Sequence, residues 1–282
     1  MKYFHVVFTI PQELRPYVRS RQKIMYNILM KAAGRSLIKL AADPHYVGGL
    51  IGILAFLHTW SRTLEYHPHV HCLVPAGGIS SEQKWMEARE DYLVPVKALS
   101  MIFRGMFKRF TSEELPEVKI PKTVWSKSWA VYCKPSVQGA EKVLKYLGRY
   151  VHRIAIANSR ILSIENGKVS FRYQGSRTLQ WKIMTLDAME FIRRFLQHVL
   201  PKGIHKIRYY GLWNPSHRDT LRRLQIILPQ DNDKSDSAAC MAELTIETVT
   251  TVPIKNGKPC PHCGKGILCC IGIIHRRKKN PP

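Results

Sequence analysis

The chain has 282 residues, with 44 Lys plus Arg against 20 Asp plus Glu, a formal net charge of +24 and a sequence pI near 10.0. An apolar fraction of 45% with 10% aromatics belongs to a chain that buries a core, which excludes a disordered polyelectrolyte. The longest apolar run, Val47 to Leu57, is too short to span a bilayer, the N-terminus lacks a signal-peptide pattern, and the cysteines do not form a secreted disulfide framework; the expectation is a cytoplasmic protein that binds a polyanion, nucleic acid before anionic membrane.

Tyr3 to Ile10 alternates and predicts a first strand. Val18 to Leu40 carries Ile24, Ile28, Leu29 and Ala32 at helical spacing, with Arg19, Arg21, Lys23 and Lys31 between them. That pattern predicts one amphipathic helix with a basic outer face, stopped by Asp43-Pro44. Leu50 to Trp60 is apolar and predicts a second strand. Ser61 to Tyr66 is a short connection, so the strand that follows is expected to pair antiparallel with it.

That third strand carries the chemistry: Tyr66-His67-Pro68-His69-Val70-His71-Cys72-Leu73-Val74-Pro75-Ala76-Gly77-Gly78. Period two sends His67, His69 and His71 to one face and Val70, Cys72 and Val74 to an apolar one. Pro75 and Gly77-Gly78 end it. Imidazoles at i and i+2 on a strand present nitrogens side by side, which makes His69 and His71 candidate ligands of a divalent metal. A symmetric turn sets His58 roughly opposite His69, either as an extra ligand or as a half-buried histidine near a strand end.

A helix is expected around Ala98 to Phe110 and a strand at Trp129 to Tyr132. Pro135-Ser136 opens the next element, with Ser136 as N-cap. Ala140, Val143, Leu144, Leu147 and Val151 make one buried helical stripe. Tyr146 and Tyr150, four residues apart, are neighbours at its border beside Lys142, Arg149 and Arg153. They are either two tyrosines packing at a core edge, or two phenols to which those cations draw a phosphate.

Ile161 to Glu165, Asn166-Gly167 and Lys168 to Tyr173 predict a hairpin. Asp187 to Leu200 predicts a helix ended by Pro201-Lys202-Gly203, and Lys206 to Leu212 a further strand. Arg193, Arg194, Lys202, Lys206, Arg208, Arg218, Arg222 and Arg223 crowd this segment, interleaved with Tyr209, Tyr210 and Trp213. Cations with aromatics suit single-stranded nucleic acid; the alternative is a solvated basic face over core aromatics.

The character changes at Gln230. Residues 1–229 are expected to form the folded domain, 230–259 a polar linker and 260–282 a cysteine-containing basic tail. Cys260-Pro261-His262-Cys263 resembles a zinc knuckle, which makes zinc at Cys260 and Cys263 a candidate and a decayed knuckle the alternative.

Together these residues resemble a known family, the rolling-circle transposases of the insertion-sequence-91 type, which combine a His-hydrophobic-His motif with two tyrosines. The resemblance lies in His69-Val70-His71 within HPHVHCLVPAGG, in Tyr146-Leu147-Gly148-Arg149-Tyr150 followed by Val151 to Ile156, in Phe171-Arg172-Tyr173 and in Glu190 to Gly211; it covers about Phe4 to Leu228. It implies an α+β fold, an antiparallel sheet flanked by helices with an RNA-recognition-like core (an HUH endonuclease), followed by a C-terminal tail. It implies Mg or Mn held by His69 and His71 plus a third ligand, for which His67, His58 and Glu65 compete. Attack by Tyr146 or Tyr150 would leave a 5′-phosphotyrosine link and a free 3′ hydroxyl, without a nucleotide cofactor. The implied partner is single-stranded DNA of transposon ends and target, contacted by Lys142, Arg149, Arg153, Arg193 and Arg194. Family members begin with a cysteine-rich zinc segment, whereas this chain starts almost at the first strand, so a truncated, inactive relative that only binds nucleic acid is the alternative expectation.

Overall fold

The computed structural model describes residues 2–138, 155–175, 178, 180–227, 258–259 and 267–268. The chain divides into two compact units, Met1–Lys234 and Ser235–Pro282. In the second, Lys258–Pro259 pairs antiparallel with Ile267–Leu268. Most of the expected 230–259 linker, and Cys260 and Cys263, lie outside the described residues.

The first unit is built on an antiparallel sheet whose centre is β1 (Lys2–Thr9), β3 (Tyr66–Pro75) and β2 (Leu50–Trp60). β6 (Val131–Gln138) pairs with β1 on one side, and β10 (Ile207–Gly211) pairs with β2 on the other. Two short strands, β4 (Gly77–Ile79) and β5 (Trp85–Glu87), extend the sheet from β2. In β1, Phe4, Val6 and Phe8 are buried while Tyr3, His5 and Val7 are half-buried on the alternate face. β3 repeats the pattern: Val70, Cys72 and Val74 are fully buried, and His67, His69 and His71 are only partly so. The buried set packs against α2 (Gln22–Ala41) and α3 (Val96–Glu114). There Phe103 stands 4.8 Å from Phe8 and 5.4 Å from Trp129, ring centre to ring centre. The two sheet faces therefore have different tasks: one is covered by helices, and the other carries the histidines.

A second sheet is the meander β7 (Ile161–Glu165), β8 (Lys168–Gln174) and β9 (Trp181–Asp187), with α5 (Ala188–Leu196) following directly. Asn166 and Gly167 both have positive φ, 48° and 71°, the backbone that a two-residue hairpin turn with the right twist requires. Leu64, Ala155, Ile156 and Phe171 form the small core beneath this sheet.

The α+β architecture, an antiparallel sheet flanked by helices, is the one expected, and Leu50–Trp60 has the expected limits. Four features differ. The single helix expected from Val18 to Leu40 is two: α1 (Arg15–Ser20) and α2, broken at Arg21, whose φ of −134° and ψ of 46° are not helical. The break lets α1 lie against the start of β3, where Arg15 bonds to His67. Gly77-Gly78 does not merely end β3; the two glycines open β4. Pro135 and Ser136 lie inside β6, so Ser136 caps no helix there. Pro135 is tolerated because β6 is an outer strand and its pairing with β1 is irregular between Tyr3 and Phe4. Finally, β9, α4 (Lys122–Ser126) and α6 (Arg218–Ile227) are elements that periodicity did not reveal. The expected helix bearing Tyr146 and Tyr150 lies outside the described residues, as do Lys142, Arg149 and Arg153.

Candidate metal centre

Strand pairing assembles a histidine cluster on the face opposite α2 and α3. His58 of β2 is directly across from His69 of β3, and His71 faces Phe56 on one side and Val7 on the other. Directly opposed residues share a face, and so do residues two apart, so His58, His69 and His71 point the same way. Each offers one nitrogen, and the three nitrogens lie within 4.8 Å of one another. Ring centres are 5.5 Å apart for His58 and His69, 4.5 Å for His58 and His71, and 4.8 Å for His69 and His71. His58 is buried and stacks on Trp60 at 4.6 Å, which fixes its ring plane.

Neighbours set the protonation of the cluster. His69 donates from Nδ1 to the backbone carbonyl of His67 at 2.7 Å, since a carbonyl only accepts. Nε2 is then the nitrogen that His69 would offer to a metal. His71 Nδ1 lies 2.8 Å from His5 Nε2, and the two rings stack at 5.0 Å. Burial pushes the His5 pKa down to about 4, so His5 is a neutral imidazole at physiological pH and one proton is shared along that contact. When His71 is the donor, its own Nε2 carries the lone pair.

Of the three residues that compete as a third candidate ligand, His58 is the one whose nitrogen lies near those of His69 and His71. His67 accepts at Nδ1 from Arg15 Nη2 at 2.8 Å, and burial, then the Arg15 charge, holds its pKa low. Glu65 is exposed. Among the described residues the ligand-competent group is His58, His69 and His71. Arg193 and Arg194 lie on α5, both bonded to Glu190: Arg193 Nε at 2.6 Å and Arg194 Nε at 2.7 Å. Arg194 also donates to the Thr63 carbonyl at 3.2 Å. His5 and Arg15 were not singled out by motif. The available signal for His5 was its place in β1, alternating with Phe4 and Val6 and hence on the non-core face.

Three comparisons with known proteins bear on this site. A family model described as "Putative transposase" (Y2_Tnp) matches residues 52–220, which includes the histidine strand pair. The chain is 39% identical over 294 aligned residues to "Putative transposase y4qJ" of Sinorhizobium fredii (strain NBRC 101917 / NGR234), an alignment covering 97% of this chain and 74% of that protein. It is 28% identical over 222 residues to the "Transposase for insertion sequence element IS801" of Pseudomonas savastanoi pv. phaseolicola, covering 73% of this chain and 53% of that one. Among solved structures, the metal-bound conjugative relaxase TrwC in complex with oriT DNA overlaps 40% of this chain and 44% of its own, at 16% identity and a TM-score of 0.34, too little to inform the fold. The family match spans more than half of the sequence and the identity to y4qJ runs nearly end to end, so the chain belongs to the Y2_Tnp transposase family, the two-tyrosine His-hydrophobic-His type named after insertion sequence 91.

Proposed function

We propose that this transposase nicks and joins single-stranded DNA at element ends, with Tyr146 and Tyr150 as nucleophiles and His58, His69 and His71 as metal ligands. The observation that carries the reading is the convergence of three imidazole nitrogens within 4.8 Å on one sheet face. The donor set fits a divalent cation: all three are nitrogen donors, the tautomer of His69 is fixed by a carbonyl, and His58 is held by stacking. Imidazole suits the later divalent ions better than Mg, so Mn is the better fit of the two cations expected. When bound there, the cation would supply Lewis-acid polarisation of the scissile phosphate.

The remaining work falls to the chain. A tyrosine hydroxyl attacks phosphorus, a new O–P bond forms to the phenol, and the bond to the 3′ oxygen breaks, leaving a 5′-phosphotyrosine and a free 3′ hydroxyl that takes up the proton. A free tyrosine has a pKa of about 10, so Lys142, Arg149 and Arg153 are assigned to favour the phenolate and the phosphate together. Two tyrosines permit two successive cleavages, one holding the first end while the other attacks the next. Arg193 and Arg194 are assigned to the DNA backbone as a pair whose net charge Glu190 reduces to one. Residues 1–229 are assigned as the catalytic domain and 230–282 as linker and tail.

The test uses labelled single-stranded element ends incubated with the full chain and Mn, then denatured. A covalent adduct that disappears in the Tyr146→Phe, Tyr150→Phe double variant is the expected result. An adduct that survives both substitutions refutes the assignment. DNA binding without any adduct would instead describe a relative that only occupies the ends.

A further inference from the structure

The hairpin that carries the candidate ligands is interrupted directly beside them. The β2–β3 ladder runs regularly as far as His58 opposite His69, then resumes only at Trp60 opposite Tyr66. The step from His58 to Trp60 along β2 is thus matched by a longer step from His69 to Tyr66 along β3, and Pro68, which has no N–H to give a ladder, lies in that gap. Beyond the gap the turn contains Leu64 at a φ of 61°, a left-handed backbone that a bulky side chain seldom adopts. The ladder by itself does not hold this end of the hairpin.

Side chains from later in the sequence do. The successive carbonyls of Arg62, Thr63 and Leu64 each accept a hydrogen bond from a different side chain: Arg160 at 3.0 Å, Arg194 at 3.2 Å and His198 at 3.1 Å. His198, just past α5, differs from the two arginines because it grips both sides of the gap. Its Nε2 donates to the Leu64 carbonyl, which only accepts, so its Nδ1 is the acceptor for the Thr59 hydroxyl at 3.3 Å. One donor and one acceptor on one ring make a neutral imidazole, and burial holds the His198 pKa below the ordinary histidine value. Thr59, Leu64 and His198 are all buried, so water is poorly placed to replace either bond.

Two routes lead from His198 to His58. Thr59 is the next residue along the backbone. Trp60, whose ring stacks on that of His58 at 4.6 Å, meets the His198 ring edge-on at 6.1 Å. A ligand whose strand leaves its ladder at the very next residue depends on such outside support for its place.

We propose that His198 is a positioning residue of the metal centre: by tying Thr59 to Leu64 across the interrupted ladder, it holds His58 opposite His69. The proposal rests on reading the histidine cluster as a metal site.

Manganese binding to the full chain is measured by calorimetry, and contact between the His58 and His69 rings by nuclear Overhauser effects in EDTA. His198→Phe fills the space but makes neither bond. It is expected to raise the Mn Kd about tenfold, the low end for residues that orient a metal ligand, and to weaken the ring contact. His198→Gln, whose amide both donates and accepts, is expected to keep the ring contact and to stay within about threefold of the unsubstituted chain. Phe103→Leu, a core change on the face covered by α2 and α3, controls for general loss of stability and is expected to leave the Mn Kd unchanged. Thr59→Val, which removes one of the two bonds, gives the same readout should His198→Phe fail to fold. The positioning role is overturned by a His198→Phe Kd equal to that of the unsubstituted chain, by a Gln variant no better than the Phe variant, or by a Phe103→Leu effect as large. Should the unsubstituted chain bind no Mn, the ring contact decides: its loss in His198→Phe with retention in His198→Gln upholds the tie and sinks the metal reading alone, whereas retention in both sinks the tie as well.

Discussion

His69 and His71 come from one short motif, but the side chains that tune them come from far along the chain: His5 lies 66 residues before His71, and Arg15 52 before His67. The motif was legible because strand alternation puts i and i+2 on one face. His58 was legible as the residue across a symmetric turn, with its role left open. His5 and Arg15 were not, because contact across β1 and β3 depends on strand order, which periodicity does not contain. Replacing a ligand should separate the imidazoles: His58→Ala is expected to weaken Mn binding at least about tenfold by calorimetry, whereas His67→Ala changes it less than about threefold. His5 has a pH signature. Its pKa falls from the ordinary 6.5 to about 4 in the folded chain, so the unfolded chain takes up its proton first. The stability from keeping His5 neutral is complete above pH 6.5 and is lost as pH falls toward 4, on the order of 3 kcal/mol at about 1.4 kcal/mol per pH unit. Urea midpoints in chelator should therefore fall between pH 7 and 4.5, and His5→Phe should flatten that fall; an unchanged slope would show that the titration lies elsewhere.

Among the elements, those with unbroken periodicity or strong turn chemistry were readable. Leu50–Trp60 matched because nine of its eleven residues are buried, and the β7–β8 hairpin because Asn-Gly is suited to two positive φ values. Trp181–Asp187 was missed because apolar Ile183 and Met184 are adjacent, which breaks alternation, and because Trp181 and Ile183 are exposed, which removes the inside-outside contrast. The break at Arg21 was missed because neither glycine nor proline marks it; contact of α1 with the start of β3 overrides helix propensity there. One element depends on a single backbone position. Gly211 has φ of +59°, and a Cβ added to it would sit 2.0 Å from the Ile51 carbonyl oxygen. Gly211→Ala is expected to lower stability by about 2 kcal/mol or more and to loosen β10 from β2, which denaturant melting and amide exchange at Tyr209 and Tyr210 would report.

For the molecule as a whole, charge and chemistry should come apart. A net charge of +24 predicts single-strand binding whose log affinity falls with log salt by about 0.7 per phosphate neutralised. His69→Ala is expected to leave that slope within error while removing Mn-dependent cleavage; a collapse of binding together with cleavage would mean that the cluster recognises DNA rather than cutting it. Composition alone pointed to a polyanion. The family needed the spacing of several motifs, and the resemblance drawn over about Phe4 to Leu228 contains the family match at 52–220. Among the described residues no helix is long and apolar enough to cross a membrane, in keeping with the short apolar runs of the sequence.

The pairing of His58 with His69 makes the cluster a property of strand register. Sliding β2 by one residue against β3 would turn His58 away and bring Leu57 or Thr59 in its place, so a misaligned hairpin keeps the His69–His71 pair but loses the third nitrogen. On the proposed metal reading, manganese supplied during refolding would act as a proofreader, favouring the alignment that offers three nitrogens over those that offer two.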